Sequence, residues 1–181
     1  RYDLEQTKAL GFNMVRKHVK IEPARYYYHC DRLGLIVWQD MPNGGKAVGS
    51  LLSLAGIYFN LSLPDDNSYT RSGRTDEVSR QDFNRELNKS IAYLYNTVSI
   101  GVWVPFNEGW GQFDANKTAE WVKKLDPSRL VDHASGWFDQ GGGDFVSRHI
   151  YFRALKPVPP EEQRAVILSE FGGYVFNVDK H

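Results

Sequence analysis

Cysteine is almost absent from this sequence. Cys30 stands alone among 181 residues, which excludes an internal disulfide and any Cys-rich zinc site. An excess of either charge is missing too. Lys and Arg total 22, Asp and Glu total 22, so nothing draws the chain electrostatically to nucleic acid or an anionic membrane, and neither is an expected partner. There is no long apolar run. The longest, over residues 51–63, is broken by Ser, Gly and Asn and is shorter than the ~20 apolar residues a bilayer span needs. No glycine-rich dinucleotide fingerprint follows any apolar segment, which argues against a nucleotide-binding doubly wound fold. The chain also lacks an initiator Met and a signal-peptide pattern, opening on Arg1-Tyr2-Asp3 inside what reads as a helix. It is therefore expected to be a piece of a longer protein. Its compartment stays open, a periplasmic or extracellular parent being compatible with it.

What is present is a globular composition, 41% hydrophobic, with length enough to bury a core. Aromatic residues reach 14%, five of them Trp. Aromatics fill cores more often than they bind, but this many also suit a site for flat ligands.

The patterning alternates. Residues 3–10 have helical spacing and stop at Gly11, and residues 12–21 alternate as a strand. A helix with Pro23 in its first turn runs through Ala24–Leu33 to Gly34. Leu35–Trp38 is a short apolar strand ending in Gln39-Asp40. Residues 41–77, rich in Gly, Ser, Asn and Pro, read as a long loop of the kind that is functional or disordered. Ser79-Arg80-Gln81-Asp82 fits a capping box for a helix carrying Phe83, Leu87, Ile91 and Leu94 on one face. Ile100–Phe106 is a buried strand, and Asp114 caps a helix to about Leu125. Strands follow at Leu130-Val131, Val146–Tyr151 and Ala165–Leu168. Six short apolar strands alternating with helices predict a parallel sheet covered by helices.

Polar residues gather where the strands end: Arg16 and His18, Gln39 and Asp40, Asn107 and Glu108, Asp132 and His133, His149 and Tyr151, Glu170. In a β/α barrel that rim carries the chemistry. Two carboxylates, Glu108 in VPFNEGWG and Glu170 in AVILSEFGG, each terminate an apolar strand. One such Glu alone is well explained by solvation or by pairing with Arg. Two favour glycoside hydrolysis, in which one carboxyl protonates the leaving oxygen and the other attacks the anomeric carbon. Trp110 and Trp137 follow strands and could stack on a pyranose or simply pack. Gly141-Gly142-Gly143 precedes a strand and reads as a turn, and Tyr26-Tyr27-Tyr28 reads as helix packing.

GFNMVRKH, YHCDRLGLIVWQDMP, VWVPFNEGW and ILSEFGG, in that order, resemble the catalytic barrel of glycoside hydrolase family 2. The resemblance implies a partial (β/α)8 TIM barrel running from about helix one to strand seven, with strands one and eight missing. It also implies upstream β-sandwich sugar-binding and immunoglobulin-like domains in the parent, absent from residues 1–181. It further implies a retaining exo-glycosidase acting on terminal β-D-glycosides, with β-galactosides the expected substrates. Glu108 would be the acid/base and Glu170 the nucleophile. Asn107 would bind the sugar 2-hydroxyl, Arg16 would keep the nucleophile ionised, and Tyr151 matches the Tyr near it. Asp40, His149, Trp110 and Trp137 complete the expected substrate-binding set. A single residue, Lys17, separates Arg16 from His18 where the compared β-galactosidases carry two, so no role passes to His18. No cofactor and no metal are expected.

Two other readings compete. A catalytically idle carbohydrate-binding barrel fragment would use the aromatics alone, and little or no activity is expected from the isolated 181 residues. A metal-dependent hydrolase on the same barrel would use His133 and His149, although the His-x-His pair and the Asp such sites also need are missing. The expected partners are a carbohydrate, the missing domains of the parent and, as a further option, a second copy of the chain.

Overall fold

The computed structural model describes residues 1–46, 49–59, 62–67, 69–152, 154–157 and 159–172. In chain order the elements are α1 (Tyr2–Ala9), β1 (Met14–Lys17), α2 (Ala24–Leu33), β2 (Ile36–Asp40), α3 (Ser50–Phe59), α4 (Glu77–Leu94), β3 (Ile100–Val104), α5 (Ala115–Leu125), β4 (Leu130–Val131), β5 (Phe145–Tyr151) and β6 (Ala165–Gly172). β1, β2, β3 and β4 form one sheet in that order, and β5 and β6 form another. Every ladder is parallel. The strand–helix alternation read from the sequence is what positions the site.

Consecutive strand residues face opposite sides, and here the two sides bury different clusters. Outward-facing Val37, Trp103 and Val131 pack under Tyr27 and Cys30 of α2, Leu87, Ile91 and Leu94 of α4 and Val122 of α5. Each such side chain taken out of water contributes roughly 1.5–3 kcal/mol. Inward-facing Trp38, Val102, Val104, Phe145 and Ile167 form a second cluster that joins the two sheets. The Trp38 and Phe145 rings sit 5.3 Å apart across it.

The seam between β4 and β5 has no ladder. At its base the Asp144 N–H donates to the Val131 carbonyl at 2.8 Å, and the Val131 N–H donates back to the Asp144 carboxylate at 2.7 Å. Nearer the site, the hydroxyls of Ser135, Ser147 and Ser169 hydrogen-bond to one another.

Several boundaries differ from the sequence reading. β1 covers only Met14–Lys17, with a turn at residues 18–19 and Val19 at φ 43°. The loop at 41–77 holds a helix, α3, whose ten residues carry no charge. α4 begins at Glu77 because the Asp76 carboxylate accepts the Val78 N–H at 3.0 Å. Ser79 is no cap, since its hydroxyl accepts from the Arg74 guanidinium at 2.8 Å. Asp114 precedes α5 but stands at φ 45° and caps nothing, its carboxylate binding Tyr69 and Lys117. The cap comes from farther away. Asp65 accepts the Ala115 N–H at 3.2 Å. β6 continues through Glu170, which lies in the strand and not after it.

Candidate active site

The strand ends converge as their polarity suggested. Arg16, on β1, is two-pronged toward Asp40 at the end of β2, with Nε 2.9 Å from Oδ1 and Nη2 3.0 Å from Oδ2. The same guanidinium donates from Nη2 to Asn107 Oδ1 at 2.8 Å and from Nη1 to Glu170 Oε1 at 2.7 Å. One planar cation thus ties β1 to β2, to the segment after β3, and to β6. Asp40 is 1% exposed and also receives His18 Nδ1 at 2.8 Å and the Val19 N–H at 3.4 Å. Burial works against the Arg16 charge, but Asp40 and Glu170 hold its pKa above the ordinary value. The Asp40 contact likewise raises His18.

Glu108 follows β3 in the left-handed conformation, φ 54°, with Gly109 at φ 73° after it. A non-glycine residue held there costs on the order of 1–3 kcal/mol. Contacts on every side hold it: its N–H donates to the Ser135 carbonyl at 2.9 Å, and its own carbonyl accepts Trp137 Nε1–H at 3.1 Å. Its Oε1 lies 2.9 Å from His149 Nδ1 and 2.9 Å from the Tyr151 hydroxyl. Tyr151 reaches Glu170 Oε2 as well, at 2.5 Å.

Burial pushes the Glu108 carboxyl up, but the hydrogen bonds from His149 and Tyr151 and the imidazole charge outweigh it, leaving the pKa below its ordinary value. A resting proton donor would be expected above that range. Burial and the neighbouring carboxylates hold the Tyr151 phenol far above its usual range, so it remains a donor. Glu108, His149 and Glu170 each bring a possible ligand atom within 4.8 Å of the others, a set a divalent cation could approach. Arg16 and Tyr151 already occupy those carboxylate oxygens. The arrangement is a proton and hydrogen-bond network built around two carboxylates.

The family described as "Glycosyl hydrolases family 2, TIM barrel domain" matches residues 1–169. The chain belongs to this family. No curated protein matches it. Among solved structures it is similar to the apo β-glucuronidase 3 of Bacteroides uniformis, with TM-score 0.60 and 20% identity over 83% of this chain and 18% of that one. It is similar to the FMN-binding β-glucuronidase of Faecalibacterium prausnitzii L2-6, with TM-score 0.60 and 21% identity over 83% of this chain and 22% of that one. The galacturonate-bound family 2 β-galacturonidase of Eisenbergiella tayi gives TM-score 0.59 and 20% identity over 83% of this chain and 24% of that one. At these identities the likeness concerns the fold. The chain spans about a fifth of the length of each of these neighbours.

Within this family 2 domain, Arg16, Asp40, Asn107, Glu108, His149, Tyr151 and Glu170 come together as the sequence suggested. Other expectations are corrected. The His149 side chain has no exposed surface and so cannot touch a sugar directly. Trp137 is 3% exposed and packs edge-on against His149 and Tyr151, so burial denies it the role of a stacking platform. Trp110 is 55% exposed and free to act as one. His133 does not join His149. Its Nε2 accepts the Gln140 N–H at 3.2 Å and faces Asp139 at 3.3 Å, which removes the two-histidine metal reading. Gly141-Gly142-Gly143 is an irregular bend before β5, and Tyr27 is packed with its hydroxyl donating to Gln39 at 2.6 Å, whereas Tyr28 is exposed and does not pack as expected.

Ser135, Gly136, Ser147 and Ser169 escaped the sequence reading, and Asp132 was placed at a strand end without a role. Gly136 stands at φ +98°, and a Cβ there would lie 2.8 Å from His149 Nδ1. The small-residue run Ala134-Ser135-Gly136 directly after a strand was the available signal.

Proposed function

We propose that this domain supplies the catalytic centre of a retaining β-glycosidase, with Glu170 as nucleophile and Glu108 as acid/base. The observation that carries the reading is the carboxyl spacing: Glu108 and Glu170 approach to within 4.8 Å and share one phenol. Retaining enzymes keep their carboxyl groups about 5–5.5 Å apart, whereas inverting ones leave roughly 6.5–9.5 Å for a water. In the first step Glu170 attacks the anomeric carbon while Glu108 gives a proton to the departing oxygen. In the second, water attacks the glycosyl-enzyme ester and Glu108 takes the water's proton.

Other groups fit this chemistry. The Arg16 cation lies against the nucleophile. With Arg16 bound at Asn107 Oδ1, the Asn107 amide N–H groups are left for the sugar 2-hydroxyl. Exposed Trp110 offers the pyranose an apolar face. The six strands are taken as strands two to seven of an eight-stranded barrel.

The substrate class is a terminal β-D-glycoside. The sequence resemblance favours β-galactosides, whereas the neighbours named above are a galacturonidase and glucuronidases. A panel of nitrophenyl β-glycosides, given to the longest natural protein carrying this sequence, decides among these sugars. A 2-deoxy-2-fluoro glycoside of the accepted sugar should leave a covalent adduct on Glu170, found by peptide mass spectrometry. An adduct elsewhere, or inverted product by NMR, removes the assignment.

A further inference from the structure

The His149 side chain is fully enclosed in the site, and nothing in the double displacement just described uses it. Its ring is gripped at both nitrogens. Nδ1 faces Glu108 Oε1 at 2.9 Å, and Nε2 faces Ser135 Oγ at 3.1 Å. Trp137 packs edge-on against it with ring centroids 5.8 Å apart. The chain makes room for it at Gly136. Ser135 anchors both partners, because its carbonyl also accepts the Glu108 N–H. At Nδ1 the shortest contact of this imidazole is the Glu108 carboxylate, with the Tyr151 hydroxyl farther off at 3.2 Å.

We propose that His149 is the positioning residue and proton partner of Glu108, held in place by Ser135. This rests on the reading of Glu108 as acid/base. The Nδ1–Oε1 pair holds one transferable proton. In the resting site it sits on the imidazole and the carboxylate accepts it. When a glycosidic oxygen arrives, the proton moves from Nδ1 to the Glu108 carboxylate and on to that oxygen. The glycosidic C–O bond breaks as Glu170 forms its bond to the anomeric carbon. The imidazole is left neutral, and the proton taken from water in the second step restores the pair.

This arrangement accounts for a half-buried carboxyl whose pKa lies below its ordinary value. Burial alone would raise the Glu108 carboxyl, and the imidazole, joined by the Tyr151 hydroxyl and the His18 charge, reverses the direction. Other groups face the pair from every side. Tyr151 on β5 lies 3.2 Å from His149 Nδ1, and Glu170 on β6 lies 3.7 Å from Nε2. Arg16 on β1 acts through Glu170, and His18 adds positive charge toward Glu108. Asp132, after β4, is adjacent to Ser135 and Ser147.

The test has two arms. In the chain itself, carboxyl-13C-labelled Glu reports the Glu108 titration, its signal assigned by loss in Glu108→Gln. Wild type should titrate below the ordinary carboxylate range. His149→Gln should move it upward, by about tenfold or more in proton affinity. An unmoved Glu108 overturns the proposal.

In the longest natural protein carrying this sequence, His149→Gln should cost at least about tenfold in kcat/KM for poorly activated leaving groups. It should spare activated aryl glycosides, and the pH profile should shift with the Glu108 titration. Equal losses for both classes overturn the proposal while leaving Glu108 as acid/base, provided Glu108→Gln still discriminates between them. A Glu108→Gln variant that does not discriminate overturns the underlying assignment and the proposal with it. Should His149→Gln fail to fold by circular dichroism, Ser135→Ala carries the test. It should shift Glu108 upward by a smaller amount, and no shift overturns the proposal.

Discussion

The Tyr151 hydroxyl donates to Glu170 Oε2 across 2.5 Å, from β5 to its neighbour β6, and the same oxygen lies 2.9 Å from Glu108 Oε1. One phenol proton therefore spans the two carboxylates. Tyr151→Phe should lower kcat by about 10²-fold, in the range expected for a group acting on a transferring proton or its carboxylate. KM should change little. Steady-state kinetics on an activated aryl glycoside checks this, and an unchanged kcat would remove Tyr151 from the site.

Arg16 carries a structural duty beside the proposed chemical one. Asp40 is buried against it, so Arg16→Ala leaves a carboxylate without its main counter-charge. Breaking a buried pair in this way costs about 3–5 kcal/mol, and for a chain this long each kcal/mol moves Tm by roughly 2–4 °C. Thermal unfolding should thus show a fall on the order of ten degrees. Arg16→Lys, which keeps charge but not the two-pronged geometry, should fall between.

Two buried aspartates should give stability opposite pH dependences. Burial pushes Asp126 up, but hydrogen bonds from Ser128, Arg129 and Trp103 outweigh it and hold its pKa below the ordinary value. Its stabilisation is present above the unfolded-state value of ~3.9 and fades as pH falls through the lower folded-state value. Asp132 is raised, because burial outweighs the Arg16 charge and the hydroxyls of Ser147 and Ser135 that work against it. Its penalty is absent below the unfolded-state value and grows as pH rises toward the folded-state one. Asp132→Asn should therefore raise Tm at pH 7 by several degrees and change little at pH 3.5. Asp126→Asn should lower Tm at pH 7. Melting curves at the two pH values test both.

The start of α4 offers a local test. Asp76→Ala removes the cap on Val78 and should cost about 1 kcal/mol by denaturant titration. Ser79→Ala removes only the contact to Arg74 and should cost less. The reverse order would restore the capping box read from the sequence.

The gathering of polar residues at strand ends was legible because the signal is local. An apolar run followed by Asn107-Glu108, or by Ser169-Glu170, places a carboxylate at a sheet edge whatever surrounds it. The Arg16 fan was legible only in part, since its contacts to Asp40, Asn107 and Glu170 join residues far apart in the chain. The capping assignments failed for a tertiary reason. Ser79 had the right spacing but is drawn off by Arg74, and α5 is capped by Asp65 from a distant loop. α3 was hidden by its flanks, where Gly, Ser and Asn signal a loop around an uncharged helix. His149 and Trp137 were visible as residues but not as buried ones. Rim position predicts exposure, and only the packing of Ser135-Gly136 against His149, and of Leu52, Leu63 and Tyr151 around Trp137, shows otherwise.

Glu108 follows β3 of the four-stranded sheet, and Glu170 lies in the sheet of β5 and β6. Between those sheets runs a seam stitched by Asp144 at one end and by three serine hydroxyls at the other. The distance between the two carboxylates is therefore not a backbone constant of one ladder. It is a gap between two bodies, gauged by the width of a phenol, a guanidinium and a few hydroxyls. Changing those spacers by one atom would retune the separation that divides retention from inversion, with neither glutamate touched.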